Sequence, residues 1–233
     1  MRRFNTDDTE TIYLLNELTA NKDAETYRCT FYNIGTKLSE ILNNELSASS
    51  EPIALACASE DADWLAKGII DKLSYPVDLC VYWSNRHNLG TDFNNNSIEY
   101  AEIEKSYEEI SDNSKTLIIT KSIISSSCVI KSQIMRLVSR HDFEKIYIVS
   151  PVLYKDAPKN LKDEFPEKVY DLFEFIYFAI DEDKDENGLV KPGIGGSVYK
   201  NLDVKPRTYY PNIVEHRMDD KSAMKTAPFP ALR

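Results

Sequence analysis

The sequence predicts an α/β protein: a mainly parallel central sheet flanked by helices, with a helical N-terminal segment and an irregular C-terminal hood. Three observations lead there. Apolar runs of strand length recur from residue 53 onward, stretches with helical periodicity separate them, and glycine- and proline-rich turns gather after the last run.

Residues 1–50 read as helical and as a segment packing on the core. Ile12, Leu15 and Leu18 stand at helical spacing, and Ile34, Leu38, Ile41, Leu42 and Leu46 line one face of the next stretch. The run SASSEP breaks the pattern before an α/β domain over residues 51–217. Its strands are expected at residues 53–57, 77–83, 115–120, 145–149 and 173–180, with helices in DADWLAKGIIDKLS and SCVIKSQIMRLVSRH. In the second helix Ile130, Ile134, Leu137 and Val138 point inward. Residues 85–114 are the exception: a polar, asparagine-rich loop at first (SNRHNLGTDFNNN), then a helix-like stretch (SIEYAEIEKSYEEI). Loops of that length in compact domains are usually functional lids or disordered. Residues 218–233 read as a flexible tail.

Composition narrows the function classes. The 233 residues carry 28 Lys+Arg against 38 Asp+Glu, a formal net charge of −10, so nucleic acid would be met only through a local basic patch or an intermediary. No apolar stretch is long enough for a bilayer, and the basic start MRRFNTDDTE lacks the apolar segment of a secretory signal. Cys29, Cys57, Cys80 and Cys128 are scattered without metal-ligand spacing, as are His87, His141 and His216, so a reduced, cytoplasmic protein without a metal site is expected. Asp183, Asp185, Asn187 and Gly188 match the opening of a calcium loop, but Ile194 stands where its bidentate Glu belongs, which leaves a solvated acidic turn.

Three segments carry a resemblance: ALACASEDADWLAKGI, TLIITKSIISSSCVIKSQIM and FAIDEDKDENGLVKPGIGGSVYKNL. Their order, with the long insertion between the first two, resembles the type I phosphoribosyltransferase family over about residues 30–217, and the last is similar to the tail of its uracil phosphoribosyltransferase branch. The resemblance implies a pyrophosphate loop after the first core strand, a catalytic lid in the insertion and a 5-phosphate loop after the third strand. It implies a base-binding turn in the hood. By position it assigns Lys121, Ser125, Ser126 and Ser127 to phosphate, Gly193, Gly195, Gly196 and Tyr199 to the base, and Arg86 and His87 to the lid.

The motifs are altered in ways that chemistry can weigh. Thr120 and Lys121 stand where the family has two acids holding the ribose hydroxyls, and neither accepts hydrogen bonds as carboxylates do. The first loop carries Glu60, Asp61 and Asp63, which repel pyrophosphate. Without a ligand, these acids complement the dipole of the helix they open. None of the 7 glycines lies in either phosphate loop. Three serines opening a helix still offer amides and hydroxyls to an anion. The expected function is therefore a catalytically impaired member of the family. It binds a nucleotide or other phosphate-bearing small molecule, or assembles with itself or with a protein or nucleoprotein partner in a bacterial regulatory or defence system. The rival readings are an active phosphoribosyl- or glycosyltransferase for a uracil-like base, using phosphoribosyl pyrophosphate and Mg²⁺, and a purely structural interaction protein.

Overall fold

The computed structural model describes residues 1–20, 23–46, 51–91, 97–206 and 208–226. Two β-strands and two helices open the first half: β1 (Arg2–Phe4), α1 (Thr9–Ala20), α2 (Ala24–Glu45) and β2 (Ile53–Ala58). The chain after β2 is one helical run in three parts, α3 (Ser59–Asp61), a π-helical turn (Ala62–Ala66) and α4 (Lys67–Lys72). A long hairpin follows, β3 (Val77–Thr91) and β4 (Ser97–Glu108), then β5 (Thr116–Thr120), α5 (Cys128–Val138) and β6 (Lys145–Tyr154). Two short helices, α6 (Ala157–Glu164) and α7 (Glu167–Tyr170), lead to β7 (Phe173–Asp181). The hood consists of the hairpin β8 (Asp183–Lys184) and β9 (Val190–Lys191), then α8 (Val198–Asn201) and α9 (Asn212–Thr226).

The sheet has seven strands in the order β1-β7-β6-β5-β2-β3-β4. Strands β7, β6, β5, β2 and β3 run parallel, while β1 and β4 close the two edges antiparallel. All five strands expected from the apolar runs are present. Their period-two alternation splits the core: Ile53, Leu55 and Cys57 face α1, α2 and α4, whereas Ala54 and Ala56 face α5 and α6. Helices α2 and α4 cross with their backbones in contact. A Cβ on Gly35 would lie 2.3 Å from the Leu65 carbonyl oxygen, and one on Gly68 would lie 2.2 Å from that of Tyr32.

Three expectations are corrected. Residues 97–108 form a strand, although Glu and Lys favour a helix in isolation; pairing with β3 decides the matter, with Ala101 and Ile103 turned toward the α5 side and Tyr107, beyond a register shift, toward the opposite core. Residues 85–91 accordingly belong to strand β3 and not to a polar loop, while residues 92–96 lie outside the described residues. The expected tail is helical to Thr226, and its remainder lies outside the described residues. The short strand β1, a polar RRF, went unrecognised because it contributes edge hydrogen bonds and not apolar surface.

The strand order fixes where a ligand can sit. From β2 the chain moves to one side to form β3, then returns past β2 to place β5 on the other side. The segments leaving β2 and β5 therefore diverge, and a crevice opens outside the carboxyl ends of these two strands.

Candidate functional site

A cavity of about 350 Å³ occupies that crevice. Its walls include Glu60 after β2, Lys121, Ser122, Ile123 and Ser125 after β5, and Ser84, Asn85 and Arg86 on β3. Gly196 and Tyr199 close it from the hood. Five residues assigned from sequence thus meet in one place: Lys121, Ser125, Arg86, Gly196 and Tyr199.

Parallel pairing places Cys57 opposite Thr120, so the chain ends of β2 and β5 emerge side by side. Lys121 then meets the acids of α3. Its Nζ donates to Glu60 Oε1 and to Asp61 Oδ2, both at 2.8 Å. The lysine side chain is only 6% exposed, so this is a buried ion triad. Burial alone would lower the Lys121 pKa, but Asp61 and Glu60 raise it well above that of a free lysine. Burial works against the charge of Glu60, yet Lys121 outweighs it and keeps its carboxyl below the usual range. For Asp61, burial wins over Lys121 and the carboxyl is shifted upward. Asp61 Oδ1 also accepts the Ser122 N–H at 3.2 Å. Tyr199 hydrogen-bonds Glu60, and its own hydroxyl is driven upward by burial and by that carboxylate.

Asp63 does a different job from its two neighbours. Its Oδ2 accepts the Tyr209 hydroxyl and the Asn212 N–H (2.7 Å), and its Oδ1 accepts the Ile213 N–H at 2.8 Å. It caps α9 from across the molecule, while Trp64 stacks on Tyr209 with ring centres 5.6 Å apart. The three acids expected to serve their own helix thus hold a lysine and a distant helix instead.

The serine turn is less committed. Ser125 lines the cavity and Ser126 is half-buried beside Cys128, with Oγ and Sγ 3.5 Å apart. Ser127 Oγ donates to Glu164 Oε1 at 2.7 Å and makes no capping bond to α5. From the hood, Lys184 reaches the Ser125 carbonyl at 3.4 Å while lying over the Tyr154 ring.

Strand alternation separates Arg86 from His87. Arg86 is exposed and lines the cavity, whereas His87 stacks on Tyr100 at 4.9 Å, with Nε2 3.2 Å from Glu102. Of the hood glycines, two are packing residues with positive φ. A Cβ on Gly193 would lie 2.3 Å from the Val190 carbonyl oxygen, and one on Gly195 would lie 2.3 Å from that of Leu18. The Gly193 N–H is held by Asp181, which is clamped by Arg2 through two bonds of 2.8 and 2.7 Å.

Sequence reasoning missed Ser84, Ser122, Ile123, Val129, Leu189 and Ile194, which also line the cavity. A signal did exist for the triad: acids after one strand and a lysine after its parallel neighbour attract once the strands pair. Among the described residues, no group of three or more His, Cys, Asp or Glu is placed to hold a metal ion. No helix among them is long and apolar enough to cross a membrane.

No protein-family model and no curated protein matches the chain. Among solved structures, the AQ2163 protein from Aquifex aeolicus is similar, with a TM-score of 0.62 and 14% identity over 88% of this chain and 98% of that one. At that identity the likeness concerns the fold alone. Solved neighbours with lower scores include the adenine phosphoribosyltransferase from Leishmania tarentolae (TM-score 0.42, 16% identity, 71% of this chain and 76% of that one). A hypothetical protein from Neisseria gonorrhoeae with bound ppGpp has a TM-score of 0.41 and 13% identity over 66% of this chain and 80% of that one.

Proposed function

We propose that this chain is a phosphoribosyltransferase-like protein that no longer transfers phosphoribosyl groups and uses its cleft to bind a nucleotide or another phosphate-bearing ligand. The observation that carries the reading is the Lys121 triad. The positions that would hold ribose and pyrophosphate in the resembled family hold each other instead, through two charge-assisted hydrogen bonds of 2.8 Å. To receive pyrophosphate, Lys121 would have to leave two buried carboxylates unpaired, which is strongly unfavourable.

Binding capacity lies elsewhere in the cleft. The serine turn precedes an 11-residue helix whose first amides and dipole favour an anion. Arg86 stands at the mouth as a further phosphate partner, and Ile123, Ile194, Val198 and Tyr199 supply apolar and aromatic walls for a flat ring. Assembly with a protein or nucleoprotein partner in a regulatory or defence setting belongs to the same reading, with the bound ligand as its signal.

Thermal unfolding with nucleoside 5′-monophosphates, and a pyrophosphate-release assay with phosphoribosyl pyrophosphate, Mg²⁺ and uracil, test it. At a hundredfold excess over Kd a nucleotide should raise Tm by roughly 5–10 °C. Arg86→Glu should abolish the shift, and no pyrophosphate should be released. Mg²⁺-dependent release of pyrophosphate would establish the active transferase instead. No shift with any nucleotide at millimolar concentration would reject the nucleotide as the ligand.

A further inference from the structure

The cleft has two unlike ends. Its mouth is formed by exposed Arg86, half-buried Ser125 and exposed Ser197. Its inner end is formed by Glu60, Lys121 and Ser122, which are 7%, 5% and 0% exposed. One ammonium against two carboxylates leaves a formal charge of 1 − 2 = −1 at that inner end. Low-dielectric walls strengthen its field.

A second observation is independent of charge. Ser122 and Ser84 both line this cavity, and their buried hydroxyl oxygens have no hydrogen-bond partner among the described residues. Buried hydroxyls are normally satisfied, so two without partners on the walls of one cavity are groups that a ligand can bond. Lys121, Tyr199 and the Glu60 backbone N–H still leave part of the acceptor capacity of the Glu60 carboxylate unused, since a carboxylate has about four lone-pair sites. Glu60, Ser122 and Ser84 are thus three acceptors beside a net negative charge. An ammonium group has three donors and a positive charge to match them.

We infer that the inner end of the cleft receives a primary ammonium group, so that the ligand is a phosphate ester carrying an amine at the end away from its phosphate. This rests on the reading above, which places the phosphate at Ser125 and Arg86. It inverts the polarity of the resembled family, in which the same inner end takes pyrophosphate.

The test is calorimetric titration with tyramine O-phosphate and tyrosol O-phosphate, which share a ring and its phosphate and differ in an aminoethyl against a hydroxyethyl group at the end opposite the phosphate. The amine should bind at least about tenfold more tightly, the size of a single charge-assisted contact. Glu60→Gln should remove that preference, and Ser122→Ala should reduce it without changing the charge. Arg86→Ala should weaken both probes alike. Equal affinity for the two probes, or a preference unchanged in both inner-end variants, overturns the inference. If Glu60→Gln fails to fold, the wild-type pair and Ser122→Ala still decide. Nucleotide binding with no discrimination between the probes would overturn only the amine; failure of every phosphate ester would overturn the phosphate-binding reading itself.

Discussion

Two turns at the carboxyl edge of the sheet use their polar groups in opposite ways. At the β2–β5 junction, Glu60, Asp61 and Lys121 are buried and spend their charges on one another. Four residues further on, Ser125 and Ser126 are half-buried, and the Ser125 side chain faces the cavity. The difference is one of depth. A charge carried out of water must find a partner within the fold, whereas a hydroxyl at a cleft wall can wait for a ligand. Stability is therefore concentrated at the first turn, and the second is where we propose that a ligand binds.

The largest test of that contrast is Lys121→Met, which strands two buried carboxylates and should cost about 3–5 kcal/mol by urea unfolding. Ser125→Ala should stay within about 0.5 kcal/mol. Lys121→Met combined with Glu60→Gln and Asp61→Asn should recover much of the loss, because no buried charge is then left unpaired. A Lys121→Met cost below 1 kcal/mol would mean that the triad is solvated and the contrast false.

The same variant sharpens the contrast through pH. Lys121 is raised above its usual 10.5, so its contribution is complete below that value and is lost only as pH rises through the higher folded one. Glu60 is lowered from its usual 4.5, so its contribution is present above 4.5 and disappears as pH falls through the lower folded value. The stability deficit of Lys121→Met should shrink in acid as the stranded Glu60 and Asp61 take up protons, beginning above their ordinary carboxylate range because burial without the lysine raises both, read from unfolding curves from acid to alkaline pH.

Clamping of the hood is next in size. Arg2→Ala leaves fully buried Asp181 without its cation and should cost about 3 kcal/mol, with loosening of the Gly193 turn visible as faster amide exchange. Asp63→Ala should cost about 1–2 kcal/mol, since one side chain caps α9 through two amides and holds Tyr209. It should also hasten proteolysis after residue 205.

Thiol labelling gives the smallest effect and compares the two turns directly. Exposed Cys29 should react first, and Cys128 beside the serine turn second. Cys57, driven upward by burial and the triad acids, and Cys80, pushed up by burial to about 12, should react only in denaturant. Early labelling of Cys57 would show that the β2–β5 junction opens.

Much of this molecule was legible beforehand, for reasons that particular residues make plain. The runs at β2, β5, β6 and β7 are apolar enough to be strands in any context, and α2 shows its buried face through Ile34, Leu38 and Leu42. Lys121, Ser125, Arg86, Gly196 and Tyr199 were placed in one cleft by position in a resembled fold. Strand β4 was misread because its Glu and Lys side chains favour a helix until β3 provides a partner. The His87 assignment separated from Arg86 because neighbours on a strand point to opposite faces, a distinction that a loop does not impose. Gly193 and Gly195 were weighed as ligand contacts, but contact with the Val190 and Leu18 carbonyls requires them.

Sequence by itself determined the layers of this protein, because hydrophobic patterning is local and the five parallel strands and most helices carry their own. It also determined which residues are chemically able to serve a phosphate or a base. Tertiary structure alone decided which of them are free to do so. Lys121 lies 61 and 60 positions from Glu60 and Asp61 in the chain, and all three are ordinary surface charges until parallel β2 and β5 bring the lysine within 2.8 Å of both carboxylates and out of water. There, desolvation makes their mutual pairing obligatory, and the inner end of the cleft acquires the charge that sets what it can hold.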